Sequence, residues 1–216
     1  MKEKNSIFGL LGRNIDYSFS RGYFSEKFER ENIHAAYKNF DLQDLSGLSQ
    51  LLEQPISGLN VTIPYKEEVI PFLDHLDKTA QQIGAVNTIV FKDGKRVGYN
   101  TDCIGFERAL KTKLKPHHTN ALVLGTGGAS KAVCYVFDNL NIAYQKVSRT
   151  PGSDRKTYEQ LDENIYQTHS IIVNCTPLGT HSNVEDKPPI DCGKLSDKHL
   201  LFDLIYNPSE TSFMRS

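Results

Sequence analysis

The chain has 216 residues, more than a single compact domain usually needs and enough for two modest domains with separate cores. Hydrophobic residues make up 38% and charged residues 24%, close to the globular average, which excludes a mainly disordered or fibrous chain. The 25 Lys and Arg and 26 Asp and Glu leave a net charge of −1 with no basic stripe, so the footprint of a nucleic-acid or membrane-surface binder is missing and a small-molecule ligand is expected.

In chain order, the polar residues 1–6 are followed by an apolar run, 7–11, that is too short for a signal-peptide core or a membrane span, so a cytoplasmic protein is expected. That run reads as a strand. Tyr23, Phe24 and Phe28 fall at helical spacing, and 35–40 alternates like a strand. A helix fits 42–52, and a strand fits 58–62, stopped by Pro64. Segments 86–91 and 96–99 flank Asp93-Gly94 as a hairpin. Residues 111–118 are almost devoid of apolar content and read as a surface connection. Beyond it, a strand over 121–124, a glycine turn, a helix over 130–140 and a strand over 144–148 make one βαβ unit, which strands over 171–174 and 200–205 extend. The expectation is an α/β protein in two parts, a substrate domain over 1–101 and a Rossmann-type dinucleotide-binding domain over 102–216, with a cleft between them. Cys103, Cys134, Cys175 and Cys192 lie far apart without a C-x-x-C pair, and His117-His118 lacks further ligands at metal spacing, so reduced thiols and no metal are expected.

The most informative stretch is Gly125-Thr126-Gly127-Gly128-Ala129-Ser130-Lys131, placed between a predicted strand and a predicted helix. The first glycine allows a tight turn, and the second lets the backbone approach a pyrophosphate, whose charge then rests on the amides of the helix N-terminus. Ser130 takes the third position, where glycine or alanine is usual, and is small enough for close helix-to-strand packing. At the end of the next strand, Ser148-Arg149-Thr150 offers a planar fork of donors to a 2′-phosphate instead of a carboxylate to a ribose hydroxyl. Lys146, Arg155 and Lys156 add positive charge nearby in sequence, so NADP is favoured over NAD.

Further polar residues stand at strand ends: Ser18 and Ser20, Asn60-Val61-Thr62-Ile63-Pro64-Tyr65-Lys66, Gly84-Ala85-Val86-Asn87-Thr88, and Asn100-Thr101-Asp102. Each alone is as well explained by a cap or a turn. Taken in order, with the glycine turn, Asn174-Cys175-Thr176-Pro177-Leu178-Gly179 and Asp203-Leu204-Ile205-Tyr206-Asn207-Pro208, they closely resemble the shikimate dehydrogenase family over essentially the whole chain. The resemblance implies reversible hydride transfer between NADPH and the ketone of 3-dehydroshikimate, a step toward chorismate and the aromatic amino acids. It implies that Ser18 and Ser20 hold the substrate carboxylate, Thr62 and Asn87 its ring hydroxyls, and that Tyr206 approaches the ring. Lys66 and Asp102 become the catalytic pair, and Thr176, Leu178 and Ile205 line the nicotinamide side. Gly125, Gly127, Gly128, Ala129 and Ser130 take the pyrophosphate, and Ser148, Arg149 and Thr150 the adenosine end.

The chemistry is consistent with this assignment, because reducing a ketone places negative charge on its oxygen and calls for a cation or proton donor there. Which member of the Lys66–Asp102 pair is formally the acid stays open. The family pattern also continues past this sequence, through a G-x-x-M-L-x-x-Q string and a closing helix, so a looser cleft and more exposed apolar surface on the first domain are expected. Two other readings remain beside the main one: a quinate/shikimate enzyme using NAD, and a chain that binds dinucleotide or substrate with little turnover. A monomer or homodimer is expected.

Overall fold

The computed structural model describes residues 6–215; residues 1–5, which belong to the stretch read for a targeting signal, and Ser216 lie outside the described residues. The chain divides into two compact units, Met1–Thr101 and Asp102–Ser216. Each has its own sheet and its own core.

The first unit runs β1 (Ser6–Gly12), α1 (Phe19–Arg30), β2 (Ala35–Asp41), α2 (Leu48–Leu52), β3 (Gly58–Val61), β4 (His75–Leu76), α3 (Lys78–Ile83), β5 (Thr88–Lys92) and β6 (Lys95–Tyr99). The described strands form a mixed sheet in the order β2-β1-β3-β5-β6-β4. β2, β1 and β3 are mutually parallel, whereas β5 runs antiparallel to both β3 and β6. The β5–β6 hairpin turns at Asp93 (φ 52°) and Gly94 (φ 72°), the two left-handed residues a tight hairpin of this hand requires. One face of the sheet buries Leu11, Leu59, Val61, Ile89 and Val69. The other packs Leu10, Ile15 and Tyr37 against Phe24 and Phe28 of α1, with Phe24 stacked on Tyr37 at 4.6 Å. Each fully buried aliphatic side chain stabilises the fold by about 1.5–3 kcal/mol relative to exposure.

The expected helix over 42–52 is only half there. Asp44 accepts hydrogen bonds from the Ser46 backbone N–H (2.8 Å) and hydroxyl (2.5 Å), which diverts residues 44–47 into a turn and delays α2 to Leu48. A short polar side chain that captures a backbone donor competes directly with the helical bond.

The second unit runs α4 (Asp102–Lys111), β7 (Asn120–Leu124), α5 (Gly128–Asn139), β8 (Ala143–Ser148), β9 (Arg155–Thr157), α6 (Glu163–Thr168), β10 (Ile171–Asn174) and β11 (Leu200–Asp203). Its strands are ordered β11-β10-β7-β8-β9, every described pair parallel. Parallel strands covered by helices on both sides should be apolar throughout, and Ala121, Leu122, Val123, Leu124, Ile171, Ile172 and Val173 are fully buried. α4 buries Cys103, Phe106 and Leu110, with Phe106 edge-on to Phe137 of α5 (5.6 Å between ring centroids) and to Phe202 of β11 (5.0 Å).

Two readings of this half need correction. The strand over 200–205 stops at Asp203, because the Asp203 carboxylate takes the Ile205 N–H at 2.9 Å and turns the chain. Nor is 111–118 wholly a surface connection: α4 runs through Lys111, and His118 is buried, its ring held between the Lys115 N–H and the Lys198 carbonyl.

Candidate active site

In the first unit, the strand register gathers residues that are far apart in sequence at one end of the sheet. β1, β3 and β6 finish where β5 begins: Leu11 is opposite Val61, Asn60 opposite Thr88, and Thr88 opposite Tyr99. Thr62, Lys66, Asn87 and Thr101 therefore belong to neighbouring loops. The Thr62 N–H donates to the Leu11 carbonyl (2.9 Å) of β1, and the Lys66 carbonyl accepts from the Val86 N–H (2.7 Å) in the loop before β5, fixing both backbones. Asn87, 8% exposed, spends its amide on Thr101: Nδ2 donates to Oγ1 at 2.9 Å, and Oδ1 accepts the Thr101 N–H at 2.8 Å. Asn87 Oδ1 also accepts from the Thr88 hydroxyl at 3.0 Å.

Ser18 and Ser20 sit at the start of α1, at this same end. Asp41, closing β2, receives the Asn14 and Ile15 N–H groups at 2.9 Å each and so shapes the loop that leads to them. Ser18 is the N-cap of α1, its oxygen accepting the Ser20 N–H at 3.2 Å. A cap of this kind contributes about 1 kcal/mol and explains Ser18 without a ligand. It also leaves the hydroxyl hydrogen to point elsewhere.

In the second unit the topology itself locates a site. From β7 the chain moves to β8 and β9 on one side and later to β10 and β11 on the other, so the strand order reverses between β7 and β10. Ligands of open α/β sheets bind at the carboxyl ends of the strands at such a reversal. The glycine turn lies there. Gly125 has φ 112°, and a Cβ on it would sit 3.2 Å from the Cys175 carbonyl group, so both the turn and the neighbouring loop require glycine. Gly127 is different: it has φ −84°, and a Cβ on it would meet nothing within 4 Å. No side chain caps the N-terminus of α5, which begins directly after it. Open space over a bare backbone at the positive end of a twelve-residue helix suits an anion such as a pyrophosphate. Ser130 does more than save space: it is 2% exposed and its hydroxyl donates to the Gly127 carbonyl at 2.7 Å, tightening the turn.

At the end of β8, Ser148 is half-buried and Arg149 and Thr150 are exposed. The supporting positive charge expected from Lys146 and Arg155 is reduced, because both share one carboxylate, Asp154, at 2.5 Å and 3.0 Å, which offsets one of the two charges. Arg149 carries the argument for a 2′-phosphate more alone than the sequence suggested. Among the loops after β10 and β11, the Thr176 hydroxyl donates to Asn174 Oδ1 (2.7 Å) and accepts the Leu178 N–H (3.2 Å), so it builds the loop. Tyr206 is 67% exposed. Asn174 and Asp203, which organise these loops, stand in the motif strings but were given no role from sequence; an asparagine at a strand end followed by Cys-Thr-Pro is the signal that could have marked the first. Among the described residues no cluster of His, Cys, Asp or Glu could hold a metal ion, and no helix is long and apolar enough to cross a membrane.

Residues 10–89 match the family model described as the shikimate dehydrogenase substrate binding domain. Over 98% of its length the chain is 36% identical to the shikimate dehydrogenase (NADP(+)) of Methanosphaera stadtmanae, covering 82% of that protein. It superposes on the shikimate 5-dehydrogenase of Thermus thermophilus, solved with NADP(H) and shikimate, with a TM-score of 0.82 and 29% identity over 97% of this chain and 82% of that one. The quinate dehydrogenase of Corynebacterium glutamicum, solved with NAD, gives a TM-score of 0.81 at 26% identity over 98% of this chain and 84% of that one. Sequence motifs, both sheets and these relatives agree: the chain belongs to the shikimate dehydrogenase family.

Proposed function

We propose that this chain is an NADP-dependent shikimate dehydrogenase that reversibly reduces the ketone of 3-dehydroshikimate to shikimate. The observation that carries the reading is the uncapped helix N-terminus behind Gly125 and Gly127 at the sheet reversal, following a substrate-binding domain in the same chain. In this reading Gly127, Gly128, Ala129 and Ser130 present backbone to the pyrophosphate, and Arg149, flanked by Ser148 and Thr150, meets the 2′-phosphate. Bound NADPH supplies the hydride. Lys66 faces the substrate oxygen, offsets the negative charge that develops there and gives it a proton, with Asp102 as the other member of the catalytic pair, holding a ring hydroxyl. Ser18 and Ser20 hold the substrate carboxylate, Thr62 and Asn87 the ring hydroxyls, and Tyr206 closes on the ring. Thr176, Leu178 and Ile205 form the nicotinamide wall. A cytoplasmic enzyme, monomeric or homodimeric, completes the proposal.

Steady-state oxidation of NADPH by 3-dehydroshikimate tests it. The expected outcome is turnover with kcat/KM higher for NADPH than NADH, and a preference reduced by Arg149→Ala. Two outcomes would replace the reading: a preference for quinate and NAD, the ligand class of the Corynebacterium relative, or ligand-dependent thermal stabilisation without turnover, which marks a binder.

A further inference from the structure

Three polar residues outside the proposed contacts join the loops that follow β10 and β11. Asn174 is 0% exposed, and its amide is fully used: Oδ1 accepts the Thr176 N–H (3.0 Å) and hydroxyl (2.7 Å), and Nδ2 donates to the Leu178 carbonyl (3.2 Å) and to Asp203 Oδ1 (3.1 Å). Asp203 Oδ1 also accepts the Ile205 N–H (2.9 Å), and its second oxygen accepts the hydroxyl of Thr211 (2.6 Å), which is 1% exposed. Two further bonds repeat the connection, the His181 N–H donating to the Asn207 carbonyl at 3.3 Å and the Ser212 hydroxyl to the Val184 carbonyl at 3.1 Å. One carboxylate thus ties together the Thr176–Leu178 loop, the Ile205 turn and the Thr211 turn.

The place of this network in the sheet says which part of a ligand it serves. A dinucleotide with its pyrophosphate on the turn after β7 and its adenosine at the end of β8 has its other half on the β10 and β11 side of the reversal. The glycine turn lies close to that side: a Cβ on Gly125 would come within 3.2 Å of Cys175 and 3.3 Å of Thr176. We infer that Asn174, Asp203 and Thr211 are positioning residues for the nicotinamide half of the dinucleotide, holding the wall made by Thr176, Leu178 and Ile205 as a single preformed surface. This rests on the proposal that the chain binds NADP(H). The physical reason is preorganisation: a wall that is already ordered loses no loop entropy on binding, whereas a loosened one must be ordered by the ligand.

Binding of NADPH and of adenosine 2′,5′-bisphosphate, which lacks nicotinamide, separates this role from general stability. In Thr211→Val the Asp203 oxygen loses its hydroxyl donor at nearly constant volume, and NADPH should bind about tenfold more weakly, the size of one hydrogen bond to a charged group. Adenosine 2′,5′-bisphosphate should bind within about twofold of the parent, since the turn after β7 and Arg149 are untouched, and Thr211→Ser should restore NADPH binding. Asp203→Asn, which keeps one acceptor, should fall between parent and Thr211→Val. Equal weakening of both ligands, or no weakening of either, would overturn the inference. Because the readout is binding, failure of the parent to reduce 3-dehydroshikimate would count against the proposed substrate alone, whereas a parent that binds neither nucleotide would overturn both.

Discussion

The two sheets build the ends proposed for their ligands from different materials. In the all-parallel sheet of the second unit the proposed ligand-binding end is backbone: a left-handed glycine, a second glycine under open space and a helix end without a cap. In the mixed sheet of the first unit it is side chain: Asn87 locked to Thr101, Ser18 capping α1, and Asp41 holding the loop before it. A bound phosphate is recognised by amides that every residue carries, so only the shape of the turn matters; a ring of hydroxyls and a reacting ketone need particular side chains.

The largest expected effect tests the side-chain half. Lys66→Ala should lower kcat by about a hundredfold or more while NADPH affinity stays near the parent value, the signature of a lost proton donor. Near-normal kcat would remove Lys66 from the mechanism and break the contrast. The backbone half is tested next by a pair of glycines. Gly127→Ala adds a methyl group that meets no protein atom, so the melting temperature should hold while the NADPH dissociation constant rises by about tenfold or more. Gly125→Ala should behave in the opposite sense, costing about 1–3 kcal/mol of stability through its left-handed backbone and its approach to Cys175. Unchanged nucleotide affinity in Gly127→Ala would sink the phosphate assignment.

The smallest effect sharpens the comparison from the far end of the second sheet, where strands begin and stability is at stake. His118 Nδ1 accepts the Lys115 N–H at 3.0 Å and Nε2 lies 3.2 Å from the Lys198 carbonyl, an arrangement that only the neutral ring with its proton on Nε2 satisfies. Burial pushes its pKa below the ordinary 6.5, and the nearby His117, Lys115 and His199 push the same way against the Lys198 carbonyl. The unfolded chain therefore binds the proton first as pH falls, so this contribution to stability is intact above about 6.5 and is lost progressively below it. Denaturant titrations across pH 5–8 should show that decline, and His118→Asn, which keeps an acceptor but does not titrate, should flatten it. An unchanged profile in the variant would assign the decline to other groups.

Much of the fold was legible because β7 and β10 are short apolar runs, a pattern that survives any choice of neighbours; β10 falls on residues 171–174 as expected, whereas the three-residue β9, Arg-Lys-Thr, carries no such signal. What escaped was polar competition with the backbone. Asp44 cut the helix over 42–52 in half, and Asp203 ended β11 early, each by taking an N–H that a periodic pattern assumes is available. The local site residues were legible as strings, but their partners were not: Asp154 drawing off Lys146 and Arg155, or Thr211 bonding to Asp203, depends on contacts a string does not contain.

By itself the sequence determined most of the longer strands and helices, where the glycine turn falls and which family the motifs resemble, because periodicity and turn chemistry act over a few neighbouring residues. Only the tertiary structure decided that the strand order reverses between β7 and β10 beside the glycine turn, that Asn174, Asp203 and Thr211 form one network, and that His118 is buried neutral. Those outcomes depend on pairing and desolvation between residues up to tens of positions apart, and each buried polar group takes the partner that packing leaves within reach.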